Sequence, residues 1–325
     1  MKNANSKSQN KAVMLYKDFL KTNGGILIAL VIMFVFLSFS NQHFFTSNNM
    51  ANLFNYFTTN CVLAMCMMCV LITGEIDLSI SSFVALSGII LCVFLNKGIA
   101  FLPALLLTLV IGALVGVVTG TIIAYSGMPS FIVTLAMQGV IRGAAYIISS
   151  GARVSSSDKW LFHLTSTRYG GIPLPTIIIL IIAVILGFLL YRTSFGKHMY
   201  AAGGNREAAI YSGINVKKIV IVTFAISGAL ACLAGSFVAS RVTSGQPAAG
   251  AGYEGDAVAA AVLGGTAFTG GRGTVSGVII GALVIGTLTN GMNLLEINSY
   301  WQQICKGLII MLAVMIDTIK QRRSN

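Results

Sequence analysis

Apolar runs separated by short polar breaks fill the chain, and the runs have the length that a bilayer dictates. About 20 apolar residues cover the hydrocarbon core as a helix. Runs of that order occupy 24–40, 54–73, 77–96, 100–125, 129–150, 174–191, 218–240, 256–270, 273–294 and 300–318. The pattern predicts an all-α polytopic membrane protein of about ten transmembrane helices, some broken where glycine interrupts the run.

The long polar interval at 192–218 stands out between these runs. Within it Gly203-Gly204 breaks the chain, and Asn205 is placed to cap a new helix by accepting from a free backbone N–H. Glu207 then falls in the first turn, where the helix dipole favours a negative charge. Ala208, Ala209, Ile210 and Tyr211 continue the helix, and Gly213 can end it in a left-handed conformation. A helix over 206–212 is a rod of about 10 Å. Flanked by two spans, it is a handle for a partner protein to push on. An ordinary polar loop is the alternative at this point. The 151–173 interval, with Arg153, Asp158, Lys159, Trp160, His163 and Arg168, reads as the largest loop at the other side. It is either a docking surface for an external protein or a plain surface loop.

Composition narrows the class. Of 325 residues, 56% are hydrophobic and 9% charged, and mean hydropathy is +0.85. A soluble domain is about a quarter charged, so a single membrane domain at 24–318 is expected, with short tails at 1–23 and 319–325. The net charge of +12 points to membrane orientation rather than nucleic acid, because the basic residues cluster beside spans. With the N-terminus inside, ten crossings place fourteen of the 21 Lys and Arg on the cytoplasmic side: Lys2, Lys7, Lys11, Lys17, Lys21, Arg192, Lys197, Arg206, Lys217, Lys218, Arg272, Lys320, Arg322 and Arg323. Five fall outside: Lys97, Arg153, Lys159, Arg168 and Arg241. That bias predicts cytoplasmic termini and a cytoplasmic 192–218 segment.

Candidate chemistry is sparse. Glu75 and Asp77, in TGEIDLSISS, are carboxylates between two apolar runs, where a charge is costly and needs a cavity or a partner. Asp77 can cap the helix that follows, with Ser79 adding a hydroxyl; contact with a substrate is the competing reading. Pro129 opens a span that carries Gln138 and Arg142 one turn apart on one face. Arg142 is expected either to pair with Glu75 or Asp77 or to snorkel to an interface. Gly112, Gly116 and Gly120, and later Gly277 and Gly281, repeat every four residues as smooth packing faces. The glycine-rich 264–273 stretch is not a dinucleotide fingerprint, and no Walker A sequence is present. Cys66-Met-Met-Cys69 sits mid-span and reads as packing. No catalytic constellation and no metal cluster can be assembled, so no catalytic residue is expected.

Four stretches together carry a resemblance. They are GEIDLS at 74–79, PSFIVTLAMQGVIRGAAYIISSG at 129–151, TSFGKHMYAAGGNREAAIYSGINV at 193–216 and DAVAAAVLGGTAFTGGRGTVSGVIIGALVIGTLTNGMNLL at 256–295. The chain resembles the membrane permease subunits of ribose/galactose-type bacterial ABC sugar importers over nearly all of 24–318. Lys197 departs from the arginine such sequences carry, and Glu296 from a glycine.

The resemblance implies a homodimer in the bacterial cytoplasmic membrane that imports a monosaccharide, ribose by default. It implies a cytoplasmic ATP-binding subunit docked on Gly203, Gly204, Asn205, Arg206, Glu207, Ala208 and Ala209, and an extracytoplasmic sugar-binding protein on the other side. ATP and Mg would then belong to the partner ATPase, with no cofactor in this chain. Arg206 and Glu207 are the expected salt-bridging positions across that interface. Glu75, Asp77, Ser79, Gln138 and Arg142 are the candidates for the pathway or its broken helices. The alternative is an ion-coupled secondary transporter using Glu75 or Asp77; an intramembrane enzyme is disfavoured.

Overall fold

A computed structural model of the chain describes residues 24–322. The expected tail at 1–23, with its five lysines, and residues 323–325 of the C-terminal tail lie outside the described residues.

Thirteen helices account for most of the described chain, and their order follows the apolar runs. They begin with α1 (Gly24–Ser40), α2 (Ser47–Ile72), α3 (Ile80–Asn96), α4 (Phe101–Ser126) and α5 (Ser130–Ser149). Next come α6 (Lys159–Ser166), α7 (Leu174–Arg192), α8 (Ser194–Gly204), α9 (Arg206–Tyr211) and α10 (Val216–Val242). The chain finishes with α11 (Tyr253–Leu263), α12 (Val275–Leu294) and α13 (Ser299–Arg322). Six of them, α2, α4, α5, α7, α10 and α12, are long and apolar enough to cross a membrane, and α1 and α3 are shorter apolar helices. This is an all-α polytopic membrane fold.

The core forms around α2. Every residue from Thr58 to Ile72 is buried, and the helix packs against α10, α11 and α12. It starts seven residues before the predicted 54, because Thr46 caps it by accepting from the Asn49 amide. On α4 the predicted glycine face meets α10. A Cβ at Gly116 would lie 2.2 Å from the Phe224 carbonyl oxygen, and one at Gly112 would lie 2.4 Å from Cys232 Sγ. Gly277 and Gly281 press on α11 in the same way, with a Cβ at either 2.0 Å from a backbone oxygen of Gly264 or Ala260. Dispersion between close backbones holds such helices where no hydrophobic effect acts between them. The outward faces of α4 and α7 stay apolar at Leu102, Leu106, Val110, Leu114, Ile181, Val184 and Phe188, as a lipid-facing surface must.

One predicted span needs correction. The 256–270 run is helical only as α11, 11 residues and about 16 Å, too short to cross alone. Gly252 (φ +84°) opens it, and Gly264 and Gly265 (φ +83°) close it, so glycine breaks the helix at both ends. Residues 246–252 lead into it as turn backbone rather than helix.

The 151–173 interval is built, not a plain loop. Strand β1 (Val154–Ser155) pairs antiparallel with β4 (Ser244–Gly245), and β2 (Arg168–Tyr169) pairs with β3 (Ile172–Pro173) across Gly170-Gly171. Between them Asp158 Oδ1 accepts from the Trp160 and Leu161 amides and starts α6, which packs on α10 and seats Leu161 among Leu91, Cys92, Leu95 and Ala104 of α3 and α4. Asn96 at the end of α3 donates to the Ser155 carbonyl. The five basic residues assigned to the outside therefore share one end of the bundle, and the 192–218 segment and Arg272 share the other.

A buried ion pair ties α13 to α11. Lys306 Nζ lies 2.7 Å from Asp256 Oδ2, whose side chain is 6% exposed. Lys306→Met leaves that carboxylate unpaired at a cost of about 3–5 kcal/mol. The melting temperature of the detergent-solubilised protein is expected to fall sharply. Adding Asp256→Leu is expected to recover most of the loss; if the double variant melts no higher than the single one, the pair is not the cause.

Candidate functional site: the coupling segment and its joint

The 192–218 segment folds as two short helices with a bend between them. Thr193 Oγ1 accepts from the Gly196 amide and starts α8. Asn205 sits in extended backbone, and its Oδ1 accepts from the Ala208 amide at 2.9 Å, so it caps α9 as its position predicts. Glu207 occupies the first turn, and Gly213 (φ +81°) ends the helix as expected. The rod is one residue shorter than predicted because Ser212 is its C-cap. Helix α8 was not predicted: its SFGKHMYAAGG sequence is short, carries a glycine in its first turn and ends in two more. Residues Gly204 to Ala208 are exposed and Ala209 is buried against the bundle. Sequence reasoning also missed Ile210 and Tyr211, 55% and 89% exposed, large apolar groups standing free on a charged end.

The inner side of this segment meets two other turns, backbone against backbone. A Cβ at Gly203 would lie 1.9 Å from the Ile72 carbonyl oxygen at the end of α2 and 2.8 Å from the Gly271 amide nitrogen. That amide donates to the same Ile72 oxygen at 3.0 Å. Gly270 (φ +95°) packs on Gly74, where the chain turns toward α3. The glycine-rich 264–273 stretch thus serves close backbone approach rather than phosphate binding. Tyr200 of α8 donates from its hydroxyl to the Gly273 carbonyl at 2.7 Å, and the Tyr191 hydroxyl accepts from the Val275 amide. Burial pushes the Tyr200 phenol well above its ordinary range, so it stays a neutral donor.

Glu75 and Asp77 both belong to this joint. Arg206 Nη1 lies 2.7 Å from Glu75 Oε1, joining the first residue of α9 to the α2–α3 turn; the arginine side chain is 48% exposed and the carboxylate 8%. Asp77 Oδ1 accepts from the amide and hydroxyl of Ser79, and its Oδ2 accepts from Ser227 Oγ of α10 at 2.9 Å. Asp77 therefore does not cap α3, whose N-cap Ser79 makes no side-chain cap bond; it pins the turn to α10. Removing one partner leaves a buried carboxylate unsatisfied. Arg206→Ala is expected to lower the melting temperature of the solubilised protein, and adding Glu75→Gln to restore most of the drop. Strict additivity of the two changes would show that the contact carries nothing.

Arg142 departs from both expectations. It reaches neither Glu75 nor Asp77, because that turn bonds the start of α5 through the Ile76 amide to Ser130 Oγ. Arg142 lies twelve residues further along, about 18 Å away. Its Nη1 instead donates to the carbonyls of Pro247 and Ala249. Gln138 shares its face as predicted and donates to Ser81 Oγ at 3.0 Å and, at 3.4 Å, to Glu254 Oε1. The candidates thus divide in two: Glu75, Asp77 and Ser79 at the joint, Gln138 and Arg142 in a groove beside α5. Glu254 is a third groove residue that sequence reasoning missed, since its polar neighbours are more than 100 residues away.

Comparison with known proteins places this arrangement in context. A family model described as "Branched-chain amino acid transport system / permease component" matches residues 49–314. The chain is 39% identical over 303 residues to the ribose import permease protein RbsC of Escherichia coli K12, covering 91% of this chain and 93% of that one. It is 37% identical over 314 residues to RbsC of Bacillus subtilis, covering 96% and 98%. The D-allose transport system permease protein AlsC of Escherichia coli is 35% identical over 315 residues, covering 97% of each. No solved structure matches the chain.

Proposed function

Because the chain belongs to the permease-component family of transport systems that its sequence matches along residues 49–314, we propose that it is the membrane subunit of an ATP-driven importer of a monosaccharide, ribose first among the sugars to test. The family description names branched-chain amino acids, but the three relatives described above are sugar permeases, and they align with almost the whole chain.

The observation that carries the reading is the coupling segment. A short capped helix, α9, presents Glu207, Ile210 and Tyr211 outward, and the segment is fastened to the bundle through Arg206 of α9 and through Tyr200 and Gly203 of α8. An exposed aromatic and an exposed aliphatic beside charges form a protein-binding surface. Its partner on this reading is a cytoplasmic ATP-binding subunit, touching Gly204 to Ala208 as well as Ile210 and Tyr211, while Gly203 and Ala209 of the expected contact face the bundle. Force on α9 passes through Arg206–Glu75 to the α2–α3 turn and through Tyr200 and Gly203 to the 264–274 turn. That turn adjoins the half-helix α11.

The permease works as two copies, with ATP and Mg bound by the partner. Both termini and the 192–218 segment face the cytoplasm, on the distribution of Lys and Arg. The opposite end, with α6 and the β2–β3 hairpin, receives the extracytoplasmic sugar-binding protein. An ion-driven carrier using Glu75 or Asp77 is the weaker reading, because the first is neutralised by Arg206 and the second is held by Ser79 and Ser227.

Affinity purification of the chain in mild detergent from its native membranes tests this. A cytoplasmic ATPase should co-purify in equal amounts. Isolation of the chain alone, still able to move solute without ATP, contradicts the reading.

A further inference from the structure

The groove beside α5 has a composition that neither lipid nor ordinary packing accounts for. Gln138, Arg142 and Tyr146 follow one another every four residues along one stripe of α5, and the stripe lines a groove of about 450 Å³. That volume lies in the range of small-molecule sites. The facing wall is the turn backbone of 246–252 followed by the first turn of α11, which carries Glu254. Irregular backbone at membrane depth persists only where it is buried in protein or lines a water-filled cavity. Polar and charged side chains in a span likewise face a cavity or a partner.

The hydrogen bonding of the groove is incomplete. Arg142 spends Nη1 on the carbonyls of Pro247 and Ala249, which braces the turn against α5. Gln138 is held from behind by Ser81 of α3. Glu254 has one oxygen at 3.4 Å from the Gln138 amide nitrogen, and its other oxygen, Oε2, is buried with no hydrogen-bond partner among the described residues. A buried unsatisfied carboxylate oxygen costs stability, and a donor that reaches Glu254 when the groove opens during transport relieves that cost.

We propose that Glu254, backed by Gln138 and Arg142, is a transient site for the hydroxyls of the transported sugar, with Glu254 accepting from a hydroxyl. A neutral polyol supplies donors to the carboxylate and acceptors to the amide and guanidinium at once, which neither a metal ion nor an apolar amino-acid side chain does. The inference rests on the permease reading. It adds a role for α11: the half-helix that carries Glu254 ends at the 264–274 turn against which the coupling segment packs, so the site lies on the element that coupling moves.

The test uses the whole complex in proteoliposomes, with uptake of radiolabelled D-ribose, D-allose and L-arabinose measured alongside ATP hydrolysis. The sugar that the wild type takes up fastest serves as the probe. Glu254→Leu is expected to assemble with the ATPase and to lower sugar moved per ATP hydrolysed about tenfold, the effect of one charge-assisted hydrogen bond. Glu254→Gln keeps an acceptor and should stay within about threefold of wild type. Equal sugar-to-ATP ratios for wild type and Glu254→Leu overturn the site alone. Failure of the wild type to move any of the three sugars with ATP overturns the permease reading and the site with it. Should Glu254→Leu not accumulate, Glu254→Cys provides the second measurement. Transported sugar is expected to slow modification of the introduced thiol by a charged methanethiosulfonate, and an unchanged rate rejects the site.

Discussion

Gly203→Ala is expected to abolish sugar uptake and to lower the yield of folded protein. The added Cβ has a position fixed by the backbone, so no rotamer change relieves its 1.9 Å approach to the Ile72 oxygen. Either the end of α2 or the end of α8 must give way, and the Gly271–Ile72 hydrogen bond occupies the same gap. Overpacking of this kind costs about 1–3 kcal/mol where side chains can adjust, and here only backbone is present to adjust. Gly204, the next residue, is the control: a Cβ there meets nothing within 4 Å. Gly204→Ala should leave melting temperature and yield as in the wild type. Size-exclusion yield and thermal melting of the two variants in detergent make the comparison. Equal behaviour of the two would mean that the joint is looser than its contacts indicate.

The second large effect is expected on coupling rather than folding. Glu207 is exposed in the first turn of α9 and makes no ion pair among the described residues. Glu207→Lys reverses a charge at a helix N-terminus, which costs about 0.3–1 kcal/mol per charge at an exposed site. The fold therefore survives. On the proposed docking, the ATP-binding subunit would meet a cation in place of the Glu207 carboxylate, and like-charge contact across an interface costs several kcal/mol. Co-purification with the ATPase should be lost and uptake should fall more than tenfold, while melting of the isolated permease shifts little. Full uptake with normal ATPase assembly would mean that the partner docks elsewhere.

What could be read from the sequence was local or periodic. Asn205, Glu207 and Gly213 act within one helix turn of themselves, so the cap, the first-turn acid and the left-handed stop of α9 were legible residue by residue. The glycines of α4 and α12 repeat at the helix period, and the faces they predicted are the faces that pack. Apolar run length located most of the spanning helices for the same reason. It failed at 256–270, where alanine and glycine keep the run apolar while Gly252, Gly264 and Gly265 cut the helix to 11 residues.

Long-range pairing was not legible. Arg206 and Glu75 are 131 residues apart, and Lys306 and Asp256 are 50 apart. From its sequence position Arg206 is directed outward, to a salt bridge with a partner chain, whereas it pairs inward with Glu75, and Lys306 stands inside the predicted 300–318 span with nothing near it in sequence to name Asp256. Two-residue strands such as β1 and β4 are too short to show any alternation, so the 151–173 interval read as loop. The candidate site was half legible in consequence. The outer surface of α9 follows from its own sequence, whereas the joint beneath it, and Glu254 in the groove, depend on partners that only the fold brings near.

The most direct measurement concerns the energy source. Proteoliposomes carrying this chain with its co-purified ATPase and sugar-binding protein should accumulate labelled ribose when ATP is supplied. Vesicles carrying the chain alone should take up none under an imposed proton or sodium gradient. Gradient-driven uptake by the chain alone, unaffected by ATP, would contradict the account and return attention to Glu75 and Asp77 as ion-coupling groups.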